Sequence, residues 1–233
     1  MTALAALLVL LCGVAVGATS IGGVMVVPVL TGLTPITATQ AVAAASLGFL
    51  FPALAAFASS QAQPGGQRLL HAGALCGAAL GAYTLAWMPA GAVRTTVGLL
   101  AVASGAYTLL GRGRAKPLPT GPAVRALLGL AVGCASAWSG TGGPVVLLPL
   151  LALLGWPTSS AVNAAQRIQL PVALAATLVN FGAGRLDIKL GLVLGVLVLA
   201  GWLIGRWLGR RLPVRRLQQV VALALIAVGL SYL

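Results

Sequence analysis

Long apolar runs rich in Leu, Ala, Val and Gly alternate with short polar breaks along this chain. None of the runs shows the period-two alternation of a half-buried strand, so they read as helices. Two runs, near 3 to 33 and 123 to 155, are interrupted by glycine clusters. The others predict helices near 36 to 60, 68 to 88, 92 to 111, 158 to 182, 189 to 210 and 214 to 233. Each is close to the about 20 apolar residues that cross a bilayer core.

The pattern repeats. A shift of 124 residues places Gly77 on Gly201, Gly81 on Gly205, Pro89 on Pro213 and Gly105 on Gly229. Nearer the start of each half the shift is 120 to 122, superposing Gly22 and Gly23 on Gly142 and Gly143, Pro28 on Pro149 and Pro35 on Pro157. The chain therefore divides into a first repeat at 1–111, a basic, proline-broken linker at 112–122 and a second repeat at 123–233. Each repeat is one interrupted segment followed by three helices.

Composition settles the solvent. Of 233 residues, 60% are hydrophobic and 6% charged, too few polar groups to cover a water-exposed surface. The expected fold is all-α integral membrane, because unpaired backbone groups in lipid leave only helices and closed barrels. The N-terminal run, with Leu11 directly before Cys12, superficially suggests a lipoprotein signal. It lacks a positive n-region, and it is read as a retained first element.

A net charge of +13 would point to nucleic acid in a soluble protein, but here the basic residues fall in breaks between apolar runs, where they report topology. With the linker cytoplasmic and the interrupted segments crossing fully, seven basic residues lie inside and six outside, which is no bias. If each interrupted segment is instead a re-entrant hairpin, Arg68, Arg112, Arg114, Lys116, Arg125, Arg206, Arg210, Arg211, Arg215 and Arg216 lie inside. Only Arg94, Arg185 and Lys189 then lie outside. The hairpin reading makes the two repeats inverted, with three spanning helices each and both termini on the outer side of a bacterial inner membrane. Inverted repeats are a recurring transporter architecture, with the site at the midplane where they meet.

Candidate chemistry is sparse. Cys12, Cys76 and Cys134 lie within apolar stretches without metal-ligand spacing, and no acid pair or nucleophile with a base is present. No catalytic residue, metal or cofactor is expected. The two breaks carry Thr19, Ser20, Gly22 and Gly23, and Ser139, Thr141, Gly142 and Gly143. Glycines allow close backbone approach, hydroxyls donate hydrogen bonds, and a helix leaving each break would turn its positive dipole end to an anion. One such break on its own reads as tight packing. Two with hydroxyls in matching places read as a substrate site.

Ser160, Asn163, Gln166 and Arg167 follow the second break, with Asn163 three and four residues from Gln166 and Arg167 and hence on one helix face. Arg167 is expected about 13 Å into a core about 30 Å thick. An arginine there is costly, and a bound anion is its expected partner; bonding to backbone carbonyls or snorkelling is the bland alternative. Gln169 is expected to point away from this face. Gly73, Gly77 and Gly81, like Gly201, Gly205 and Gly209, have small-xxx-small spacing and are expected to hold each half together. The tryptophans read as interfacial anchors or packing, with Trp138 beside the second break as a site-lining candidate.

These residues resemble the sulfite exporter TauE/SafE family of bacterial membrane proteins. The resemblance rests on Gly17 to Leu30 and Ser136 to Leu150, each a Gly-rich break followed by proline and leucine, and on Ala43 to Leu47, Gly184 to Asp187 and Leu212-Pro213. It departs at the shorter glycine run of the first break and at Gln166 to Gln169. The resemblance implies transport of small sulfur oxyanions or organosulfonates. The expected function is thus secondary transport of a small anion by alternating access, within membrane lipid and without nucleic acid; self-association is left open. An anion channel or a non-catalytic membrane subunit is the alternative.

Overall fold

The computed structural model describes residues 2–59, 67–110, 121–211 and 214–233. Among the described residues there are ten α-helices and no strand. The first interrupted segment forms α1 (Ala3–Thr19) and α2 (Val26–Leu33), followed by α3 (Ala38–Ser59), α4 (Gln67–Thr84) and α5 (Ala90–Leu110). The second forms α6 (Pro122–Ser139) and α7 (Pro144–Leu153), followed by α8 (Thr158–Gly182), α9 (Ile188–Gly209) and α10 (Val214–Leu230). Most of the expected linker, through residue 120, and Leu212-Pro213 lie outside the described residues.

Local chemistry sets the helix ends. The Thr2 hydroxyl accepts from the Ala5 amide and the Asp187 carboxylate from the Leu190 amide, capping α1 and α9. Pro122 and Pro144 open α6 and α7, where a missing amide proton costs nothing. Ser20 and Gly140 end α1 and α6 in the left-handed region, at φ 63° and 65°.

Among the described residues, five stretches are long and apolar enough to cross a membrane: α3, α4 with the turn after it, α5, α6 and α9. The 25-residue α8 has the length, but Asn163, Gln166, Arg167 and Gln169 lower its mean hydropathy. The interior is built from small residues such as Ala44, Ala45, Ala74, Ala78 and Ala82, while Leu7, Leu11, Leu178, Leu203 and Leu223 are exposed. That distribution suits lipid, where association comes from close packing of small residues rather than from burying large apolar ones.

The glycine stripes do not hold each half together; they join one half to the other. A Cβ on Gly73 or Gly77 would lie 2.1 Å from the Ala126 carbonyl oxygen or 2.0 Å from that of Leu130, both in α6. A Cβ on Gly201 or Gly205 would lie 2.2 Å from the Leu10 oxygen or 2.1 Å from that of Val14, both in α1. The main packing pairs are accordingly α4 with α6 and α1 with α9, together with α3 on α8 and α9, α4 on α8, and α5 on α10.

These contacts also give directions. Residue numbers rise together along α1 and α9 and along α4 and α6, so each of those pairs is parallel. Gly98 meets Gly229 and Gly105 meets Ala222, so α5 and α10 are antiparallel. Thr34 to Ile36, just past α2, line a groove of about 340 Å³ with Asp187, Lys189 and Leu190 at the start of α9. The chain thus returns after α2 to the end of the bundle from which α1 set out.

Arg185, just past α8, bonds the Ala82 carbonyl near the end of α4, so α4, α6 and α8 start together at the opposite end. The α7 helix, joined to α8 only through residues 154–157, returns to that end.

Candidate functional site

The two breaks meet inside the bundle. A Cβ on Gly23 would stand 2.8 Å from the Thr141 carbonyl oxygen and 3.1 Å from the ring of Phe49, on α3. Gly142, at φ 79°, faces the same ring and the amide of Gln169; Gly143, at φ 108°, lies against Ile168. Gly22 packs on Ala15 of its own segment. Only residues without a Cβ permit both the positive φ and this approach of one backbone to the other.

All four expected hydroxyls are buried. The Thr19 hydroxyl donates to the Ala15 carbonyl at 2.7 Å and accepts from the Ile21 amide at 3.3 Å. The Ser139 hydroxyl donates to the Ala135 carbonyl at 2.8 Å and lies within hydrogen-bond distance of the Thr141 hydroxyl at 3.1 Å. Gln166 reaches across from α8 and donates from Nε2 to the Ser20 hydroxyl at 3.2 Å. No side chain caps α2 or α7; a 3-10 turn at Gly23–Met25 leads into α2 and binds the Met25 and Val26 amides to the Gly22 and Gly23 carbonyls, and α7 opens on Pro144, which has no amide proton, with the Val146 and Leu147 amides bonded to the Gly143 carbonyl.

Beneath the breaks lies a small cavity of about 10 Å³, lined in part by Ser46, Phe49, Ser136, Gly140, Gly142 and Val172. That is room for about one water molecule.

The structure separates other expected site residues. Arg167 places its guanidinium 4.7 Å over the Phe57 ring near the end of α3, while Gln166, about 100° around the helix, faces the first break. Asn163 is half-buried on α8. Gln169 does not simply point away to a neighbouring helix. It is buried against Gly142 of the second break, and its spacing of three from Gln166 was the available signal. Trp138, beside the second break, donates its indole N–H to the Thr84 hydroxyl at 2.9 Å and packs on the buried cluster that includes Ile21, Val24 and Phe49.

Beyond the breaks, Ser46 and Thr177 hydroxyls lie 3.4 Å apart and Asn180 is wholly buried, polar positions that sequence periodicity does not single out in an apolar run. Burial lowers the pKa of Arg185, in the turn after α8, from the usual arginine value. Among the described residues no group of three His, Cys, Asp or Glu gathers as a metal site.

A family model described as sulfite exporter TauE/SafE matches residues 65–232. The match takes in the second break and leaves the first, at 17–30, outside it. No curated protein and no solved structure matches the chain.

Proposed function

The chain belongs to the sulfite exporter TauE/SafE family, and on that premise we propose that it is a membrane transporter of sulfur compounds that carries a small oxyanion or organosulfonate by alternating access at the two breaks. The observation that carries this reading is the meeting of Gly23 with Thr141, which brings two glycine-rich breaks and their hydroxyls to one place. Neutral hydroxyl and carboxamide donors suit an anion there, because their partial positive charge needs no buried counter-ion.

The helix directions support an inverted arrangement, since the two broken segments enter from opposite ends of the bundle. The exchange of partners between α1 with α9 and α4 with α6 fits two repeats related by a two-fold axis. On the positive-inside count, both termini face outward across a bacterial inner membrane. Outward movement of one negative charge under an inside-negative potential gains about 2.3 kcal/mol per 100 mV, enough to drive export of an anion without a coupling ion.

The test is counterflow in proteoliposomes with labelled sulfite, thiosulfate and sulfoacetate. Uptake accelerated by unlabelled substrate on the other side is expected. Ohmic anion conductance without such acceleration would mean a channel and overturn alternating access.

A further inference from the structure

We propose that Asn180 and Arg185 form a second oxyanion subsite, lying between the breaks and the end of the bundle that carries the α8–α9 turn, through which the transported anion passes. The proposal rests on the transporter reading above and adds residues that the breaks do not include.

Asn180 is completely buried, and neither its amide nitrogen nor its oxygen has a hydrogen-bond partner. Buried carboxamides are almost always bonded, because leaving both ends bare forfeits hydration without replacement. Arg185 shows the same deficit. Its Nη2 donates to the Ala82 carbonyl at 2.6 Å, while Nε and Nη1 are buried and unbonded. The chain has a single acidic side chain, Asp187, and it is engaged in capping α9 through the Leu190 amide.

The two residues lie on a route from the breaks. Ala173 and Ala176 of α8 line the small cavity below Gly140 and Gly142, together with Ser136 and Ala137 of α6. Asn180 is the next position on that face, one helical turn beyond Ala176. A Cβ on Gly81 would touch Ala137 at 3.0 Å, and the carbonyl that holds Arg185 belongs to the next residue, Ala82. Ser136, whose hydroxyl is also buried and unbonded, and the Ser46–Thr177 pair supply polar groups along the way.

Free guanidinium donors on Nε and Nη1 and a carboxamide N–H match the oxygens of a small oxyanion. The carboxamide oxygen can accept from a protonated one. A lipid phosphate offers the same oxygens, but the complete burial of Asn180 and its place on the α8 face that lines the cavity through Ala173 and Ala176 favour a free anion.

The experiment uses the full-length protein, purified in detergent for binding of sulfite and in proteoliposomes for its transport. Asn180→Leu and Arg185→Gln should insert and remain folded, weaken sulfite binding about tenfold or more and raise KM in step. Arg185→Lys should retain part of the binding. Wild-type sulfite binding and KM in both Asn180→Leu and Arg185→Gln, with transport still intact in the parent, would overturn the subsite and leave the transporter reading standing. Failure of the parent protein to transport any tested sulfur anion would instead overturn that reading, and with it the anion's passage. Loss of retained phosphatidylglycerol by mass spectrometry, with sulfite binding unchanged, would place a lipid headgroup there and also overturn the proposal.

Discussion

Gln166 Nε2 donates to the Ser20 hydroxyl at 3.2 Å, so a helix of the second half is hydrogen-bonded directly into the break of the first. Removing one partner of a buried pair costs about 1 to 3 kcal/mol when the other is left bare. Gln166→Leu is therefore expected to raise the KM for sulfite about tenfold. Ser20→Gly should lose the same contact while relieving the φ of 63°, so its melting temperature should not fall. A double-mutant cycle on KM with additive effects would dissociate the contact from transport.

Gly23→Ala places a methyl group where the Thr141 carbonyl now stands 2.8 Å away, forcing the breaks apart. Gly143→Leu adds a clash with Ile168 to a φ of 108° that a side chain rarely adopts. Both variants are expected to reach the membrane and lose at least about nine-tenths of transport, since a misplacement near 1 Å costs about a hundredfold at positioned sites. Wild-type counterflow in Gly23→Ala would remove the breaks from the mechanism.

Gly77→Ala and Gly205→Ala should destabilise the protein by about 1 to 3 kcal/mol or more, because their new Cβ atoms meet backbone rather than a movable side chain. Gly32→Ala, which meets nothing within 4 Å, serves as the control and should be neutral or slightly stabilising. Thermal unfolding in detergent separates the three. Equal midpoints would show that the stripes do not bear the contact between halves.

Arg167 is expected to be needed for anion uptake, and its stacking on Phe57 offers a purely structural explanation to exclude. Arg167→Gln should abolish transport without preventing insertion, and Phe57→Leu should retain most of it, because a half-exposed cation–π contact contributes only about 0.5 to 2 kcal/mol. If Phe57→Leu is as inactive as Arg167→Gln, the arginine acts through packing.

Both termini are expected outside. Impermeant labelling of cysteines introduced at each end of a cysteine-free chain, in intact cells, should mark both. Labelling of one alone would refute an odd number of spans in each half. It would also remove the inverted arrangement on which the midplane site depends.

The amino-acid sequence by itself determined the solvent and the element list. Membrane insertion follows from 60% hydrophobic and 6% charged residues, and the breaks follow from Gly22-Gly23 and Gly142-Gly143 with their downstream prolines, because these are local properties of composition and backbone freedom. Tertiary structure alone decided the partners. A glycine every fourth residue specifies that something comes close, not what comes, and only the folded chain sets Gly77 against Leu130 and Gly205 against Val14. The same holds at the site. Periodicity placed Gln166 and Arg167 on α8, but the roughly 100° between them turned one to Ser20 and the other to Phe57. Asn180 looked unremarkable in one dimension, because burial is set by neighbours far away in the sequence.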